Sequence, residues 1–146
     1  ETNILYLEKK INESKSLKVT VIGECAGGFA SILYGVKLNI DHAIAFNPQT
    51  YLDKETRSFY NDDRWDSNKL DKLELNYNSN LNLKYLEKAD TKIDIIYSNN
   101  FIEKSHFENI IQNKNLNITG HMIESNDSEL VKYLDYIGAL SMLLKM

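Results

Sequence analysis

Apolar positions along the chain change period several times, and each change marks an element. Ile4, Leu7 and Ile11 recur at helical spacing, which predicts an amphipathic helix over residues 2–13. Glu13-Ser14-Lys15-Ser16 breaks that pattern. Val19-Thr20-Val21-Ile22 is a β-branched run bounded by Gly23, the signature of a buried strand. From Gly27 to about Leu38 the small and apolar residues Phe29, Ala30, Ile32, Leu33 and Val36 predict a helix packed on most of its faces. Ala43-Ile44-Ala45-Phe46 is a second short strand, stopped by Asn47-Pro48 because proline cannot sit inside a central strand. Ile93-Asp94-Ile95-Ile96-Tyr97 predicts a third strand, and Phe107, Ile110 and Ile111 mark a helix after it. Leu116-Asn117-Ile118-Thr119 begins a fourth strand. Leu130, Leu134 and Ile137 define a C-terminal helix reaching about Leu144.

Residues 51–90 differ. They are polar, with Arg64-Trp65 and the cluster Leu81, Leu83, Tyr85, Leu86 as apolar anchors, and they read as an excursion of short helices that caps a site. The expected order is therefore α-β-α-β-cap-β-α-β-α. Short apolar strands separated by helices predict an α/β fold: a mostly parallel sheet with helices on both faces. Right-handed crossovers gather the strand C-termini on one edge, where ligands bind in such folds.

The 146 residues suffice for one domain with a real core. The chain starts at Glu1 and not at methionine, so an excerpt of a longer protein or a processed product is expected. The net charge of −4, with no basic stripe, gives no support to a nucleic-acid partner. A single cysteine excludes an internal disulfide framework, no apolar run approaches the ~18 residues of a membrane span, and a cytoplasmic location is expected. No spacing of Cys, His and acids suggests zinc, and neither a P-loop nor a dinucleotide fingerprint is present, so no cofactor is expected.

The strongest local signal is Gly23-Glu24-Cys25-Ala26-Gly27-Gly28, between a predicted strand and a predicted helix. That context suits a nucleophile elbow, a sharp strand-to-helix turn that lifts one side chain above the sheet in a strained conformation. Gly23 and Gly27 would be needed because a Cβ at either place should collide with the neighbouring chain. Gly28 would let the helix pack close. The helix N-terminus would favour a thiolate, and the N–H of Ala26 would be one oxyanion-hole donor.

With these residues the chain resembles the α/β-hydrolase superfamily, whose motif is G-x-S-x-G. Some members, such as dienelactone hydrolases, carry G-x-C-x-G-G, similar to the stretch here. A looser resemblance joins Gly27-Gly28-Phe29-Ala30, Ala45-Phe46-Asn47-Pro48-Gln49-Thr50 and Asp63-Arg64-Trp65 to hydrolase-like domains of bacterial polysaccharide-biosynthesis proteins. The superfamily resemblance implies that residues 1–146 are a partial α/β-hydrolase fold, the C-terminal part of a larger domain, with Cys25 as nucleophile and a small-molecule or glycan-linked ester or thioester as substrate. It also implies His121 as base, since a strand, then Gly-His, then a loop and a C-terminal helix is how the family presents its histidine. Only an imidazole titrates near neutral pH with little tuning. Aligned instead on Leu130-Val131-Lys132-Tyr133-Leu134, the polysaccharide-associated group would place its histidine at Ser128, and the base would be missing. A similar stretch in that group carries an acid three residues before a histidine, which points to Glu103 ahead of His106. The usual acid position, Ser98-Asn99-Asn100, has no carboxylate. Asn47 and Gln49, at the end of the second strand, are candidates to bind polar substrate groups. His42 is read as structural. Two functions stay open: an acyl-transfer enzyme using Cys25, His121 and Glu103, or a catalytically inactive hydrolase-like module of a polysaccharide-biosynthesis or glycosyltransferase protein.

Overall fold

The computed structural model describes residues 2–14, 18–66, 69–72, 81–125 and 129–145. Its elements are α1 (Thr2–Ser14), β1 (Thr20–Glu24), α2 (Ala26–Lys37), β2 (His42–Phe46), α3 (Lys54–Tyr60), a 3-10 turn (Leu83–Tyr85), β3 (Lys92–Ser98), α4 (Phe101–Ile110), β4 (Asn117–Ile123), α5 (Leu130–Tyr136) and α6 (Leu140–Leu143). The strands form one parallel sheet in the order β1-β2-β3-β4. Each connection must cross back over the sheet; α2 and α4 cover one face, and α5, which follows β4, covers the other.

Strand period two sorts the residues onto those faces. Ala43, Ala45, Ile93 and Ile95 pack with Ile32 and Val36 of α2 and Ile110 of α4. Ile44, Phe46 and Ile96 point the other way and pack with Leu130 and Leu134 of α5. β2 and β3 are buried along nearly their whole length, which is why both read as continuous apolar runs. Among the described residues β1 lies at the sheet edge, and its Ile22 is half exposed.

Three expectations need correction. β4 runs on to Ile123, so Gly120 and His121 lie inside the strand and not after it, where the family resemblance puts a base. The C-terminal helix is two helices, because Gly138 adopts φ 75 and ends the first. In the excursion Leu83 and Leu86 are buried against the α2 face, whereas Tyr85 is exposed. Leu83 N donates to Thr50 O and Leu52 N to Leu81 O, so the excursion leaves and returns at one place beside β2.

The glycines of the elbow are not equivalent. A Cβ on Gly23 would lie 2.0 Å from the Gly27 carbonyl oxygen, and one on Gly28 would lie 2.9 Å from Pro48 Cα. A Cβ on Gly27 would meet nothing within 4 Å, which corrects the expected collision there. Gly27 is solvent-facing in the first turn of α2. We expect Gly23→Ala to cost roughly 3 kcal/mol or more, as backbone overlaps of this kind do. Gly27→Ala should leave stability unchanged or raise it by up to about 0.5 kcal/mol through lower unfolded-state entropy. Urea unfolding of both variants, followed by circular dichroism, checks the contrast.

Candidate functional site

β1 ends at Glu24 and α2 begins at Ala26, leaving Cys25 alone in the turn. Its backbone has φ 54 and ψ −115, outside the left-handed helical well and strained for any residue with a Cβ. Three hydrogen bonds hold it there. Cys25 N donates to Phe46 O at 2.9 Å, and Cys25 O accepts from Phe29 N at 3.1 Å and Gln49 N at 3.3 Å. The turn is therefore fastened to the end of β2 as well as to α2. The thiol is partly exposed at the C-terminal edge of the sheet, as an elbow requires.

The Sγ accepts from Gln49 Nε2 at 3.4 Å, so Gln49 does meet the thiol, with its side chain buried. Burial pushes the Cys25 pKa up. The Ala26 backbone N–H and the Arg64 guanidinium favour the thiolate, while Glu103 and Glu24 oppose it, and the balance stays above the ordinary value. Asn47 is engaged elsewhere: its Nδ2 donates to Ser98 Oγ at 3.1 Å and its Oδ1 accepts from Ser98 N at 2.8 Å. This reciprocal pair ties the ends of β2 and β3 together.

The structure does not bring His121 to Cys25. β1 and β4 are the outer strands of the sheet, three inter-strand spacings apart, or roughly 14 Å. His121 Nε2 instead lies 2.8 Å from Asp94 Oδ1, and His42 Nε2 lies 2.6 Å from Asp94 Oδ2. Lys92 Nζ is 2.7 Å from the same carboxylate. Burial would raise the Asp94 pKa, but the bonds from His121, Lys92 and His42 outweigh it and bring the group down to about 2. Ser128 lies outside the described residues.

Glu103 sits in the first turn of α4, where Asn100 caps the helix by accepting from Glu103 N at 2.9 Å. The carboxylate is 5% exposed. Its Oε1 receives Arg64 Nη1 at 2.6 Å, and its Oε2 has no partner among the described residues. Burial raises the Glu103 pKa in spite of Arg64. Arg64 also donates from Nε to Asp62 Oδ1 at 2.9 Å and from Nη2 to Asp62 Oδ2 at 3.0 Å, a bidentate pair. Arg64 thus pins the excursion to α4. Trp65 lines a depression of about 350 Å³ with Arg57, Asp62 and Asp63.

His106 is fully buried in the same network. Its Nδ1 accepts from Thr50 N at 3.1 Å, so the neutral ring carries its proton on Nε2, which faces Asp62 Oδ2 at 3.2 Å. Arg64 Nη2 crowds that oxygen too, 2.6 Å from Nε2. Tyr51 stacks on the imidazole, with ring centroids 3.9 Å apart. The Asp62–Arg64–His106 grouping was missed by the sequence reading beyond its Asp63-Arg64-Trp65 fragment. The one available signal was an acid and an arginine two residues apart in an otherwise weakly patterned stretch.

Among solved structures the chain is similar to an alpha/beta hydrolase enzyme from the metagenome of sediments from the lagoon of Mar Chica, Morocco. The similarity covers 99% of this chain and 70% of that one, with a TM-score of 0.57 and 15% sequence identity. The fold of this chain is therefore that of the α/β hydrolases. No protein-family model matches the sequence, and no curated protein is similar to it.

Burial lowers the His106 pKa, Asp62 raises it, and Arg64 lowers it again, leaving it below the ordinary value. The unfolded chain then takes up a proton near pH 6.5 that the folded chain refuses. Stability should be full above that pH and fall as pH drops below it. In His106→Gln the fall between pH 7.5 and 5.5 should shrink, and urea midpoints at the two pH values measure it.

Proposed function

We propose that this chain is a hydrolase-like module that keeps the elbow as a binding feature and does not carry out acyl transfer by a histidine-assisted cysteine. The observation behind this reading is where the imidazoles go. The sequence has three histidines, and all three are committed away from the thiol: His42 and His121 to Asp94, and His106 to Thr50 and Asp62. The neighbour that Cys25 does have, Gln49, is an amide and accepts no proton near neutral pH. A raised thiol pKa adds to this, because the thiolate is the nucleophile.

The looser family resemblance supports the context of a polysaccharide-biosynthesis or glycosyltransferase protein. Two of the stretches that carry it meet at His106: Thr50 N donates to its Nδ1, and Arg64 Nη2 lies 2.6 Å from its Nε2. The acyl-transfer alternative, with Cys25, His121 and Glu103, draws its support from the strained φ of Cys25 and from the Ala26 N–H beside the sulfur. It would require His121 to leave Asp94 and cross the sheet.

Iodoacetamide alkylation of Cys25, followed against pH, should titrate above the free-thiol value of ~8.5. His121→Ala should leave that value unchanged, and the chain should not hydrolyse p-nitrophenyl acetate above the buffer rate. An apparent pKa well below the free-thiol value that depends on His121, together with ester turnover, would restore the acyl-transfer reading.

A further inference from the structure

Arg64 and Trp65 are neighbours with different duties. Arg64 pairs with Asp62 and Glu103, while Trp65 lines the depression of about 350 Å³ on the excursion. The other walls of that depression are Arg57, Ser58, Asn61, Asp62 and Asp63. It exists because the chain turns back at the end of α3. Asn61 adopts φ 53 and caps the helix, and Asp62 N donates to Arg57 O at 2.9 Å, which folds the chain beside the last turn. Two of the walls are buried and held. Arg57 donates from Nε to Leu52 O at 2.9 Å and from Nη2 to Asp71 Oδ1 at 2.8 Å, and Asp62 is paired with Arg64. The other four are exposed, and the side chains of Ser58, Asn61 and Asp63 make no hydrogen bond to another described residue. Trp65 itself is 39% exposed.

We propose that this depression binds a pyranose sugar, with the C–H face of the ring on Trp65 and its hydroxyls on Asp63, Asn61 and Ser58. The volume stands at the lower end of the ~300–1,000 Å³ of small-molecule sites, which suits a ligand of one or two rings. An indole offers a flat face of negative potential, which attracts the polarised C–H groups of a sugar ring. The uncommitted polar groups are of both kinds. Asp63 only accepts, whereas the Asn61 amide and the Ser58 hydroxyl both donate and accept. A sugar hydroxyl also does both, so one ligand engages all three. An ammonium ligand has no acceptor and leaves the Asn61 and Ser58 donors idle. An anion is repelled by Asp62 and Asp63, and the one cation in the wall, Arg57, is already paired with Asp71. None of the six lining residues belongs to the elbow, so the proposal does not depend on Cys25.

Trp65 is the only tryptophan in the chain, so indole emission reports on this depression alone. The probe is methyl β-D-glucopyranoside, whose hydroxyls are all equatorial and whose faces carry only C–H. Its addition should change the emission and saturate, with a midpoint at roughly 1–10 mM, the range that ordinary ligand efficiency gives one sugar ring. Glycerol at the same hydroxyl concentration has no ring face, and tetramethylammonium chloride has no hydroxyl; neither should saturate. Asp63→Asn should raise the sugar midpoint roughly fivefold by removing the charged acceptor, whereas Glu87→Gln, an exposed change of equal charge outside the depression, should not move it. Isothermal titration calorimetry should give the same midpoint for the parent chain and no binding heat for Trp65→Ala, with circular dichroism melts showing that each variant is folded. The three-probe comparison needs no variant and decides the matter should a variant fail to fold. The proposal is overturned if neither emission nor heat saturates with the sugar at concentrations tenfold above that range. It is also overturned if tetramethylammonium or glycerol saturates as the sugar does, or if folded Asp63→Asn binds the sugar as the parent does.

Discussion

The geometry of the C-terminal edge depends on how closely two pieces of backbone approach at the elbow. Gly23 lets the end of β1 lie against the Gly27 carbonyl, and Gly28 lets α2 lie against Pro48. With those contacts made, the chain must reverse within one residue, and Cys25 has no relaxed conformation left to it. The strain is held by hydrogen bonds between Cys25 and Phe46, Phe29 and Gln49, so both α2 and the end of β2 would have to move before it could relax. Side-chain identity matters less to this arrangement than the absence of a Cβ at two positions.

Arg64 does for the excursion what the glycines do for the elbow. It comes from a polar segment with few apolar anchors, and yet its guanidinium reaches Asp62 and Glu103 while crowding His106. The guanidinium is only about one-third exposed and both carboxylates are buried. Such a network is costly to desolvate, and its value lies in complete pairing rather than in net attraction. Asp62 is fully paired and its carboxyl lies well below the usual range, while Glu103 keeps one unmatched oxygen and shifts upward. Two acids on one arginine are thus driven apart, by burial and by the number of bonds each receives.

The architecture was legible in the sequence because it rests on periodicity. Ala43-Ile44-Ala45-Phe46 and Ile93-Asp94-Ile95-Ile96-Tyr97 are buried on both faces and so read as strands at once. The elbow was legible because glycine punctuation at a strand-to-helix switch has few other uses. The role of His121 was not legible, because Gly120-His121 reads equally well as the end of a strand or its middle. The decision comes from pairing with Ile95 and Ile96 on β3, which is non-local. Glu103 could be picked out as an acid, but its partner Arg64 is remote in the chain and comes from a segment without a strong pattern. Gly27 misled for a different reason. It occupies a motif position, yet the close approach in this chain is made by Gly23 and Gly28. The break at Gly138 shows in the sequence only as a glycine inside an apolar period, which a continuous helix also tolerates.

Asp94 gathers donors from three adjacent strands: His42 on β2, Lys92 on its own β3, and His121 on β4. A parallel sheet of short, apolar, β-branched strands has little in its side chains to prefer one alignment over a neighbouring one. Here a single buried carboxylate supplies that preference. Sliding any of the strands by one residue would turn its contributing side chain to the opposite face, where α2 and α4 pack. The carboxylate would then face apolar surface with fewer donors. The two imidazoles on Asp94 thus serve as an alignment key that holds β2 and β4 in place against β3.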